Sequence, residues 1–98
     1  MDLEHLTRET FAPLVDSTFA VGDPGATALG LRLAATGPAG AGASGTREPF
    51  SLLFQGPLRP LLPQGIHRLL HPELGEIAIF LVPVGRLGQA MQYEAIFT

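Results

Sequence analysis

The sequence predicts a mainly β fold, a small six-stranded antiparallel barrel or sandwich with a short N-terminal helix. Three observations lead to it. Apolar side chains alternate with polar or small ones: Leu29, Leu31 and Leu33 around Gly30 and Arg32, then Phe50, Leu52 and Phe54, then Tyr93, Ala95 and Phe97. A period of two puts each set on one face of a strand. Turn formers are abundant, with 12 Gly and 9 Pro, while only 15% of residues are charged, which is the reverse of a coiled coil or long-helix protein. The 46% hydrophobic content is enough for a core and argues against a disordered chain. With 98 residues, one domain spanning 1–98 is expected. Its core is small enough that an oligomeric partner would help to hold it.

The N-terminal segment predicts a helix within residues 6–15. Thr7 is placed to cap it, Leu6 and Phe11 to form a hydrophobic staple, and Glu9 to face the positive end of the helix dipole. Pro13 lacks a donor and restricts Ala12, so the regular helix is expected to be under two turns.

Strands are expected near Thr18–Val21, Thr27–Ala35, Phe50–Gln55, Ile66–His71, Glu76–Val84 and Gln92–Phe97. The segment Glu76–Val84 is apolar on both faces and therefore belongs in a central position or against a partner. Turn residues separate the strands at 21–26, 71–75 and 85–89. Pro57, Pro60 and Pro63 stiffen the connection 56–65, and the low-complexity run 36–46 predicts a flexible Gly/Ala loop.

Charge narrows the function. The net charge of −3 and six scattered Arg without a single Lys leave no basic cluster to displace counterions from phosphate, so no nucleic-acid partner is expected. The absence of Cys removes disulfides, thiolate metal sites and thiol nucleophiles. No apolar run approaches the ~18 residues of a spanning helix, and the acidic start has no signal-peptide character. The expectation is a chain without a membrane span, cytoplasmic by default.

Catalytic constellations are sparse. Gly40-Ala41-Gly42-Ala43-Ser44-Gly45 matches GxGxxG literally, yet leads toward a strand where a dinucleotide site needs a helix N-terminus. His67, His71, Glu73 and Glu76 form the one ligand-like cluster. His67 and His71 would share a strand face about 13 Å apart at about 3.3 Å per residue, too far for one metal, and are expected at the surface. Ser44 and Ser51 lack a nucleophile elbow, and Glu48, Glu73, Glu76 and Glu94 show no pairing in sequence. No enzyme activity, catalytic residue, cofactor or metal is therefore expected.

Six blocks then carry a resemblance: Leu6–Val15, Arg47–Phe54, Leu62–Gly65, His71–Glu76, Phe80–Gly85 and Tyr93–Phe97. Together they resemble an uncharacterised family of bacterial proteins of about this length. That resemblance implies no catalytic residues. It implies accessory proteins encoded beside phage-tail-collar-like proteins, and hence a place in an extracellular or tail-like assembly.

The functional expectation is a non-enzymatic protein-interaction or structural module that meets a tail-collar-like protein or itself. Its partner-binding edge is expected at Tyr93, Ala95 and Phe97 with Ile77 and Ile79. The alternative is a small-ligand-binding β-barrel with the connection 56–65 and the hairpin 71–76 at its mouth.

Overall fold

The computed structural model describes residues 6–22, 29–38, 49–59 and 61–97. The chain enters through α1 (Arg8–Phe11), tightens into a 3-10 turn (Ala12–Leu14), and continues as β1 (Thr18–Val21), β2 (Gly30–Pro38), β3 (Phe50–Pro57), β4 (Gly65–His71), β5 (Gly75–Leu87) and β6 (Ala90–Phe97). All neighbours pair antiparallel in the order β1-β2-β3-β6-β5-β4, a closed barrel. Four-residue β1 makes the closure by pairing with β2 on one side and β4 on the other, which selects the barrel over the sandwich.

The helix starts where its sequence says it should. Thr7 is the extended N-cap, and its N–H donates to the Thr10 hydroxyl at 3.2 Å. Leu6 and Phe11 are both buried, as the staple requires. Pro13 follows, and the helix gives way to the 3-10 turn after one turn. Asp16, at φ 77°, redirects the chain into β1; a short polar side chain tolerates that left-handed conformation. Its N–H donates to the Leu33 carbonyl at 2.7 Å, tying the turn to β2.

β3 and β6 each run two residues longer than expected, to Pro57 and from Ala90, and two other strands pass their expected ends by three. β2 runs on through Thr36, Gly37 and Pro38, which the composition assigned to the flexible loop, because Gly37 pairs with Ser51 and Pro38 with Phe50. Ladder pairing there overrides weak intrinsic strand preference. The rest of that loop, with the GxGxxG run, lies outside the described residues, as do 23–26 of the first turn. β5 passes Val84 and reaches Leu87, because a bulge between Pro83 and Gly85 lets its pairing with β6 resume at Gly85↔Gln92.

Strand direction sorts the connections to two ends. α1, Phe50, Phe97 and the turn 72–74 lie at one end; the 58–64 connection and the turn 88–89 lie at the other. At the helix end the Phe11 ring packs on Phe50 and Phe97 at 5.9 and 5.7 Å, and those two stack cross-strand at 4.6 Å. Within the barrel, Phe19 meets Phe54 edge-on at 5.4 Å. Close packing shows at Gly56, where a Cβ would stand 2.5 Å from Leu31 Cδ2.

Candidate functional site

The polar groups inside the barrel are the first place to look for chemistry. β4 alternates cleanly, with His67, Leu69 and His71 inward and Ile66, Arg68 and Leu70 outward. The two histidines do share a face, as their spacing predicts, but that face is the interior: His67 is 6% exposed and His71 7%. This corrects the expectation of surface histidines. A buried imidazole needs hydrogen-bond partners, and both have them.

His67 Nε2 lies 2.7 Å from the Pro63 carbonyl oxygen, which can only accept, so Nε2 carries the proton of that bond. His71 Nδ1 lies 3.1 Å from the Glu73 backbone N–H, which can only donate. Nδ1 is therefore the acceptor, and the neutral ring carries its proton on Nε2. Nε2 is 3.0 Å from Ser17 Oγ, and Ser17 Oγ in turn donates to the Leu14 carbonyl.

That direction decides what the pair can do. A nucleophilic serine donates its proton to an unprotonated imidazole nitrogen. Here the imidazole donates to the serine and the serine hydroxyl points to the backbone. The arrangement pins the α1–β1 junction to the end of β4, with Phe19 against the His71 ring at 4.6 Å. Ser17 did not stand out in the sequence because 54 residues separate it from His71.

The other candidates are dispersed. Ser51 is on the outward face of β3, paired with Gly37 and Ile96. Glu76 is exposed and ion-paired with Arg68 at 3.3 Å, Glu73 is exposed beyond β4, and Glu94 lies between Leu53 and Val82. Ser44 and Glu48 lie outside the described residues. Among the described residues no group of three or more His, Cys, Asp or Glu comes together, and no buried side-chain polar atom lacks a partner. The connection 56–65 and the hairpin 71–76 flank β4 at opposite ends of the barrel, so they do not frame one mouth.

The expected partner-binding edge is also placed differently. Tyr93, Ala95, Phe97, Ile77 and Ile79 all turn into the core, and none exposes more than 6%. β6 pairs with β3 along its whole length, which makes it an interior strand of the barrel wall. Tyr93 serves packing directly, its hydroxyl accepting the Leu62 N–H at 3.1 Å and fastening the 58–64 connection.

The outward face is where unexplained apolar surface collects. Ile66 is 70% exposed, Phe80 50%, Ile96 58% and Leu70 43%. Ile66 is directly opposite Phe80 in the β4–β5 ladder. The β5–β6 pairing begins at Val82↔Glu94, and Ile96, two residues beyond it on β6, pairs with Ser51 of β3. Ile66 and Phe80 thus form an exposed apolar pair across β4 and β5, with the Arg68–Glu76 ion pair beside it. Val84 and Leu87 are exposed separately on the extension of β5.

No helix among the described residues is long and apolar enough to cross a membrane. No curated protein and no solved structure matches the chain. The blocks that resembled a family from sequence lie within the match of one family model, over residues 6–97: the chain belongs to the family described as a domain of unknown function (DUF6916).

Proposed function

We propose that this barrel is a non-enzymatic protein-interaction or structural module whose contact surface is the outward apolar side chains Ile66, Phe80 and Ile96, extended by Leu70. Contiguity is the observation that carries the reading. Isolated exposed apolar side chains are ordinary on protein surfaces. Here Ile66 faces Phe80 across the β4–β5 ladder, Leu70 is exposed further along β4, and Ile96 is exposed on β6, the other strand that β5 pairs with. Contiguous apolar patches are characteristic of surfaces that a partner covers.

The interior supports the same reading. Both buried histidines are engaged with backbone groups or Ser17, and the Ser17–His71 bond runs opposite to nucleophile activation. The sequence resemblance adds a class of partner: a tail-collar-like protein or the chain itself, within a phage-tail-like or filament assembly.

The test is affinity capture from the native host with two baits, the natural chain and the triple variant Ile66→Ser/Phe80→Ser/Ile96→Ser. The expected result is a stoichiometric companion on the natural bait that the variant loses. Equal capture by both baits, or a companion on neither, contradicts the proposal. Retention of native circular dichroism by the variant is expected, since all three side chains face outward.

A further inference from the structure

We infer that His71 is an acid-operated latch: proton uptake on its ring frees the turn 72–74 and uncovers Leu74, while the α1–β1 junction stays fastened. The latch is independent of the contact surface proposed above and follows from which atoms face the two ring nitrogens.

One buried ring ties two segments to the end of β4. Its Nδ1 accepts the Glu73 N–H at 3.1 Å, which holds the turn. Its Nε2–H donates to Ser17 Oγ at 3.0 Å, which holds the junction. A backbone N–H has no lone pair to offer, so the bond to Glu73 exists only while Nδ1 is bare. Imidazolium carries a proton on both nitrogens. Proton uptake therefore sets two donors against each other at Nδ1, and that bond is lost. At Nε2 nothing changes: the N–H is already there, and Ser17 Oγ still accepts it while donating to the Leu14 carbonyl. Release is one-sided.

The surroundings decide what takes the place of the lost bond. From the N-terminal side, Ser17 and the Phe19 ring at 4.6 Å are neutral. Asp16, next to Ser17, is held by Arg32 at 2.6 Å. On β5, Gly75 opposite His71 has no side chain, and Glu76 is engaged by Arg68 at 3.3 Å. The carboxylate carried by the turn itself is Glu73, which is exposed. Turning that segment outward lets the carboxylate replace the N–H at Nδ1, a charge-assisted bond in place of a neutral one. Gly75, at φ 75°, gives the segment a hinge in a conformation that glycine adopts without strain. Pro72 and Glu73 are already exposed, whereas Leu74 packs against the core, so Leu74 is the apolar side chain that the movement brings to the surface.

Nitrogen-15 NMR with amide exchange, at about pH 7.5 and about pH 5.5, tests the latch on the full chain. After correction for the intrinsic pH dependence of exchange, the Glu73 amide of the natural protein is expected to lose about tenfold in protection at the lower pH, in step with the change of the His71 ring to imidazolium. The Asp16 and Ser17 amides, bonded to the Leu33 and Leu14 carbonyls, are expected to keep theirs. His71→Asn is the control, because an asparagine side-chain oxygen can accept the N–H two residues on and takes up no proton. Glu73 should then be equally protected at both pH values. Unchanged protection at Glu73 in the natural chain, an equal loss in His71→Asn, or a parallel loss at Asp16 and Ser17 overturns the inference.

Discussion

His71 shows how much a single hydrogen-bond direction can settle. Its Nδ1 faces a backbone N–H and its Nε2 faces Ser17 Oγ, so only one neutral tautomer satisfies both bonds. Nitrogen-15 NMR of the imidazole should find the proton on Nε2 and Nδ1 unprotonated; the opposite tautomer would reopen Ser17 as a nucleophile. Tyr93 makes a second residue-scale case. Tyr93→Phe keeps the ring in the core and strands the Leu62 N–H, which should cost about 1–3 kcal/mol in urea unfolding. A loss under a few tenths would mean that water reaches that donor. By contrast, the exposed Arg32–Asp16 pair, at 2.6 Å, belongs to a class worth about 0–1 kcal/mol.

Single residues also show where sequence reading stops. The spacing of His67 and His71 on one strand face was legible; which face points inward was not. Hydrophobicity alone would turn Ile66 and Leu70 into the core and the histidines out, and the structure does the reverse. The partners that make buried histidines tolerable, Pro63, Ser17 and the Glu73 N–H, come from other segments and leave no local mark. A one-residue change of phase exchanges the two faces of a strand, so this is the point at which the candidate surface could not be read in advance.

Among the elements, α1 acts as a plug for one end of the barrel. The capping Thr7, the staple Leu6/Phe11 and the stop at Pro13 were all legible, because capping and proline effects are local. What the helix covers is a tertiary matter: Phe11 completes the ring cluster with Phe50 and Phe97. Phe11→Ala should cost about 3–5 kcal/mol in denaturant unfolding, a large share of a small domain's stability. A cost below about 1 kcal/mol would mean that the helix is not docked. The strands follow the same division. All six were visible, three of them as alternating runs and the others as short apolar segments between turn residues, while β2 and β5 extend beyond their expected limits because ladder partners and the Pro83/Gly85 bulge carry them on. The order that makes β6 an interior strand, and so buries Tyr93, Ala95 and Phe97, is a property of barrel closure with no local signature.

For the whole molecule, closure places the buried polar groups in a side-chain-filled interior and leaves the outward apolar side chains of β4, β5 and β6 as the surface still to be explained. A barrel wall has one inner and one outer face, and the five residues first expected to meet a partner are all on the inner one. The most direct test of the account is a backbone amide chemical-shift footprint, recorded on adding the companion captured from the host. The account predicts shifts confined to the outward strip around Ile66, Arg68, Ala78, Phe80 and Ile96. A footprint centred on Ser17 and His71, or on the 58–64 connection and the turn at Gly88, would contradict it and move function to the interior or to an end of the barrel.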